Sequence, residues 1–133
     1  MIGILLLFSQ ERGYIQTERG VEVMVQVWGE VRNPGIYYLP LGSTPLELIS
    51  AAGGPTRYAK LSKVVLIRGE GKERKIVVDI DGYVKGKNME LPVLRGGDIV
   101  IVPANVWYIF SRIAILAGQV AAVVGAIYLI REW

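Results

Sequence analysis

The chain has 133 residues, 52% hydrophobic and 20% charged, with a formal net charge of +3. That length suffices for one domain, and so apolar a composition excludes both a disordered chain and a basic nucleic-acid-binding tail. With no Cys and no His, thiol nucleophiles, disulfides, Cys/His zinc sites and imidazole acid–base catalysis are excluded as well.

Met1–Phe8 is an apolar run, either a buried strand or the apolar piece of a shortened signal segment. No Lys or Arg precedes it and no small-x-small pattern follows. Ser9–Gly20 is polar and forms a loop or hairpin, so residues 1–20 are expected as an N-terminal strand or hairpin extension. Val21, Val23, Val25 and Val27 alternate with Glu22, Met24 and Gln26, the pattern of a half-buried strand. Arg32-Asn33-Pro34-Gly35 is a turn, and Ile36–Leu39 is its return strand. Thr44-Pro45-Leu46-Glu47 starts a helix, with Thr44 as cap, Pro45 at the first helical position and Glu47 three residues after the cap. Leu46, Ile49 and Ala52 are expected to face inward, and Gly53-Gly54-Pro55 stops the helix.

Val64–Arg68 and Lys75–Asp79 are strands joined by Gly69–Arg74. Asp81–Lys85 forms a short helical turn. Gly96-Gly97-Asp98 turns the chain into a last strand, Ile99–Val102, which Pro103 closes. These elements predict an α+β domain over residues 21–105, a small mixed sheet with one crossing helix.

The remaining residues, 106–133, differ in kind. From Ile113 to Ile130 no residue is charged. Eighteen helical residues rise about 27 Å, close to the hydrocarbon thickness of a bilayer. Trp107, Tyr108 and Phe110 precede the run, and Tyr128 and Trp133 follow it, as interfacial aromatics do. Arg112 and Arg131 flank it and snorkel outward. Trp107, Tyr108, Arg112, Tyr128, Arg131 and Trp133 are therefore the expected membrane-interface residues of a C-terminal transmembrane α-helix. Ser111, Ala114, Gly118, Ala121 and Gly125 recur at spacings of three and four and line one stripe, along which helix backbones approach closely.

No residue pattern carries catalysis. The candidate carboxylate pairs are Asp79 with Asp81 and Glu70 with Glu73, neither of which has a nucleophile beside it, and the glycine-rich stretches lack the Gly-Lys-Ser/Thr of a phosphate loop. No metal and no cofactor are expected. For binding, Trp28, Tyr37, Tyr38 and Tyr58 lie near Arg32, Asn33 and Arg57. Aromatic rings beside hydrogen-bond donors suit contacts between subunits, and equally suit a glycan.

The run Val25–Tyr37 (VQVWGEVRNPGIY), then Gly42-Ser43-Thr44-Pro45-Leu46, Ile49–Gly54 (ISAAGG) and Leu94–Pro103 (LRGGDIVIVP), resembles the SLBB domain, the soluble ligand-binding β-grasp. The resemblance covers about residues 21–103. It implies a β-grasp-like fold and a likeness to bacterial polysaccharide export proteins of the Wza type, which form rings in the envelope and end in a helix that enters a membrane. This chain holds one copy of the pattern, and its last helix is apolar rather than amphipathic.

The expectation is a non-enzymatic, membrane-anchored envelope protein that self-assembles into a homo-oligomeric ring. The alternative is the subunit of an open helical tube or filament, since a head-to-tail contact closes or runs on according to its rotation. The expected partners are further copies of the chain, membrane lipid and a polysaccharide. Nucleic acid is not among them. The resemblance implies that the β-grasp domain lies outside the inner membrane.

Overall fold

The computed structural model describes residues 13–69 and 74–132. The expectations for Met1–Phe8, for the Glu70/Glu73 hairpin tip and for Trp133 lie outside the described residues. The elements run β1 (Tyr14–Thr17), β2 (Gly20–Gly29), β3 (Gly35–Pro40), α1 (Pro45–Ala51), a 3₁₀ turn (Leu61–Lys63), β4 (Val64–Arg68), β5 (Arg74–Val78), α2 (Ile80–Val84), β6 (Ile99–Val102) and α3 (Val106–Glu132).

The six strands form one mixed sheet in the order β1-β2-β6-β4-β5, with β3 also on β2. Among the described residues only the β2–β6 pairing is parallel. β2 has ten residues, and three strands share it. β3 takes one edge, from Glu22 to Val27. On the other edge β1 pairs with Gly20–Val23 and β6 with Gln26–Gly29. The handover falls at Met24, whose N–H donates to Gly13 O while its carbonyl accepts from the Gly97 N–H at 2.7 Å. Gly13 sits so close to Gly96 and Gly97 that a Cβ there would meet their backbone at 2.4–2.6 Å. Residues 14–17, within the segment expected as loop or hairpin, are thus a full member of the sheet.

Strand alternation puts Val23, Val25 and Val27 of β2 on one face with Leu66 of β4 and Val100 and Val102 of β6, all fully buried. α1 covers this face. Its inward residues are Pro45, Leu48, Ile49 and Ala52, spaced i, i+3, i+4, i+7 as one helical stripe must be. Leu48, not Leu46, is thus the buried leucine, and Leu46 sits half-buried at the margin. Thr44 also departs from expectation. It takes the extended N-cap conformation, yet its side chain makes no capping hydrogen bond. Pro45 at the first helical position removes one orphan N–H, which lessens the need for a cap.

The loop before β6 closes over the core. Leu94 is 1% exposed, and its N–H donates to Ser43 O at 2.8 Å. Asp98, 2% exposed, accepts from the Arg95 N–H at 2.7 Å and from Arg68 Nε at 3.2 Å. The Arg68 guanidinium also donates to Val93 O. A buried carboxylate is costly unless its lone pairs are filled. Here they are filled by a turn amide and by an arginine from β4.

At the other end of β2, Gly29 takes φ +94°, and a Cβ on it would lie 2.1 Å from Val102 O. That carbonyl accepts the Glu30 N–H at 2.8 Å, so it cannot move without losing a bond. Gly29→Ala should destabilise the domain by about 2–4 kcal/mol, from left-handed strain plus overpacking. Asp98→Ala should cost about 1–3 kcal/mol, because it leaves the half-buried Arg68 without its counter-charge and the Arg95 N–H without its acceptor. Denaturant melts of both variants measure this, and a loss under 0.5 kcal/mol in either would contradict the assignment.

Asp79 caps α2, its carboxylate accepting from the Gly82 N–H at 2.8 Å. That bond chiefly holds its carboxyl below the ordinary value of 3.8, against the opposing effect of desolvation and with smaller help from Lys87 and Lys63. A folded pKa below the unfolded one stabilises the fold above the unfolded value and is lost as pH falls through the folded value. Asp79→Ala should therefore lower the Tm at pH 7. The gap to the parent should persist to pH 5, then shrink below pH 3.8.

Candidate functional site

The alternation that buries one set of side chains turns the other set to the opposite sheet face, and no element among the described residues covers that face. β2 places Glu22, Met24, Gln26 and Trp28 there. β3, in register through Gln26↔Ile36 and Met24↔Tyr38, adds Ile36 and Tyr38. β6 adds Ile99 and Ile101, and β4 adds Val65 and Ile67 opposite them. β5 contributes Val77 and Lys75 at the far edge, and β1 contributes Ile15. Trp28 is 46% exposed, Tyr38 51%, Ile36 54% and Val77 60%. So broad an apolar face, with few charges in it, is unusual on a soluble monomer.

Trp28 is fixed within this face. Its Nε1–H donates to Gln26 Oε1 at 3.0 Å, which holds the ring along the strand. Tyr38 lies one strand over. These two candidate residues share one surface. Tyr37 points the other way, half-buried against the core, and its hydroxyl donates to Asn33 O. Asn33 and Arg32 are exposed, and both have their N–H groups tied to the end of α1, Asn33 to Ala52 O at 2.9 Å and Arg32 to Gly54 O at 3.1 Å.

Arg57 and Tyr58 belong to a different place, the foot of α3. Ala59 bridges Ala104. The Lys60 N–H donates to Pro103 O at 2.8 Å, and the Asn105 N–H donates to Tyr58 O at 2.6 Å. The Tyr58 ring meets Tyr108 edge-on at 5.2 Å between centroids, and the Arg112 guanidinium lies 5.8 Å from the same Tyr108 ring. Asn105 caps the helix, its Oδ1 accepting from the Trp107 N–H at 3.2 Å. The seven residues expected to make one contact site are therefore divided among the open sheet face, the end of α1 and the helix foot.

α3 has 27 residues, about 40 Å of helix. The span Val106–Arg131 is long and apolar enough to cross a membrane, and beyond the Tyr108 contact its side chains lie exposed. Ser111, Ala114, Gly118, Ala121 and Gly125 all lie exposed along it, and no atom comes within 4 Å of a Cβ built at Gly118 or Gly125. Trp107 and Phe110 stack edge-on at 6.2 Å near its start, while Tyr128 and Arg131 lie exposed near its end.

The carboxylates do not converge. Asp79 pairs with Lys87 at 3.6 Å and Asp81 with Lys85 at 2.9 Å, and no cluster of three potential metal ligands occurs among the described residues. The arrangement is a broad apolar surface rather than a cluster of convergent polar groups. Two parts of it were not foreseen from sequence. The apolar residues of β4 and β6 on the open face had a signal, since VVLIR and IVIV are apolar at both parities, but such runs usually mean a strand covered on both sides. The Arg68–Asp98 pair had none, because its partners stand 30 residues apart.

If the Tyr58–Tyr108 contact fixes the helix foot, Tyr58→Ala should speed amide exchange at Asn105 and Lys60 about two- to tenfold, the worth of one aromatic pair. Exchange at β2 should not change.

Residues 24–79 match the family model of the SLBB domain. No curated protein matches the chain. The matched segment runs from the β2 handover to the α2 cap, so it contains α1 and most of the sheet. Over residues 24–79 the chain is thus similar to an SLBB domain, and an apolar helix of membrane-spanning length follows.

Proposed function

We propose that this SLBB-domain chain is a non-enzymatic, membrane-anchored envelope protein of the polysaccharide-export type, similar to the Wza-type proteins, whose β-grasp domains pack into a homo-oligomeric ring. The observation that carries the reading is the open apolar sheet face, next to a helix that is apolar on all sides. Each leaves a large surface without a partner, and identical copies supply partners for both. In this reading the face rich in Ile36, Tyr38, Trp28 and Val77 is the domain contact, with Trp28 and Tyr38 as its aromatic anchors. The small-residue stripe of α3 is the helix contact. The β-grasp domain lies outside the inner membrane.

Apolar contact outranks sugar binding on this surface. Glycan sites need several polar donors beside their rings, and Trp28 has one amide beside it, that of Gln26, whose Oε1 accepts from the ring N–H. Arg32, Asn33 and Arg57, the donors expected with these aromatics, are not on the open face.

Negative-stain imaging of the detergent-solubilised protein tests the proposal. Closed rings are expected. Open tubes would favour the filament alternative, and monodisperse monomers would overturn both. The double variant Ile36→Glu/Val77→Glu should keep its melting behaviour, since exposed positions change stability by about 0.5 kcal/mol or less each, yet lose the assembly. A glycan array with the parent and Trp28→Ala checks the sugar arm, where no binding by the parent is expected.

A further inference from the structure

A second surface, separate from the open sheet face, follows from where the sheet ends. β6 leaves the sheet at Val102 and becomes α3 four residues later. The register places the start of β4 and the end of β5 beside the end of β6, through Val65↔Ile101 and Val64↔Val78. The 58–63 segment therefore lies at the foot of the membrane-spanning helix, fixed there by the Lys60–Pro103 and Asn105–Tyr58 hydrogen bonds. This segment and its neighbour carry Arg57, Lys60 and Lys63. Arg57 and Lys63 are exposed and Lys60 half-buried.

The acids at this end are occupied. Asp79 and Asp81 pair with Lys87 and Lys85, and Glu30 accepts from the Thr56 hydroxyl at 2.6 Å. None of the ion pairs among the described residues engages Arg57, Lys60 or Lys63. The segment that carries these three cations also holds Tyr58, which meets Tyr108 at the start of α3, and Tyr58, Trp107 and Tyr108 are aromatic residues of the kind that settle at the headgroup layer. With α3 in a bilayer, the surface facing these cations is the layer of lipid phosphates.

We propose that Arg57, Lys60 and Lys63 form a basic collar around the foot of α3 that binds anionic phospholipid headgroups. The collar seats the domain against the membrane surface and limits its tilt about the helix foot. It goes beyond the assembly reading and does not depend on it, because a single copy suffices. Lys and Arg beside a negatively charged membrane surface are each worth about fivefold in association, and the effect is screened by salt within a Debye length.

The test uses the full chain reconstituted in vesicles containing equal spin-labelled phosphatidylglycerol and phosphatidylcholine, with the relative association of the two lipids read by electron paramagnetic resonance. The parent protein should prefer the anionic lipid by about fivefold or more at low salt, and less at 0.5 M NaCl. Arg57→Gln/Lys60→Gln/Lys63→Gln should bring the ratio close to one, with the domain's melting temperature unchanged. An unchanged ratio in this variant, or no preference in the parent, overturns the proposal. So does loss of the preference in Arg112→Gln alone, which would place the lipid contact on the helix. Recovery of the protein with the vesicles reports insertion separately, so a failed anchor and a failed collar give different results.

Discussion

The sheet depends on a single strand meeting the hydrogen-bond demand of three neighbours. β2 offers one complete edge to β3 and divides the other between β1 and β6. Each buried N–H and C=O must find a partner, so the change of partner has to occur without a gap. Met24 accomplishes this by bonding Gly13 on one side of its peptide and Gly97 on the other. Two chain segments more than 80 residues apart approach closely there, and the absence of a Cβ on Gly13 permits it. β4 and β5 join β2 only through β6, so the far half of the sheet hangs on the same arrangement.

The two ends of β6 have different duties. At its start Asp98 is buried and satisfied by Arg68 and the Arg95 amide, which fixes the strand's entry and pulls the 93–95 loop over the core. At its end the Val102 carbonyl lies against Gly29 and accepts from Glu30, and the chain passes into α3 within four residues. So short a connection, bonded on its flank to residues 58–60, ties the helix foot to the sheet. Cations and aromatic side chains collect at that end because the loops between β2, α1 and β4 converge there.

α1 and the sheet make one interface, and among the described residues the opposite sheet face has no such cover. An amphipathic helix of seven residues is too short to be stable alone, and here it is held by Leu48, Ile49 and Ala52 on the β2 valines. The opposite face is also rich in apolar side chains, and Trp28, Tyr38, Ile36 and Val77 on it are 46–60% exposed. That asymmetry is the observation on which the proposed interaction surface rests.

Much of this was legible in the residues. The valine alternation of β2, the turn at Arg32–Gly35, Pro45 at a helix start and the bounds of β4 and β6 depend on local backbone physics, which acts over a few residues. The length and apolarity of α3 are likewise properties of contiguous sequence, and the SLBB pattern is an ordered set of such local signals. What only tertiary structure decided is which parts meet. The division of the Trp28, Tyr37, Tyr38 and Tyr58 group, the Arg68–Asp98 pair, Leu48 as the buried leucine of α1 and the recruitment of β1 to the sheet all follow from strand order and register. Those are fixed by pairing between segments far apart in the chain, and no local preference encodes which distant edge a strand will find.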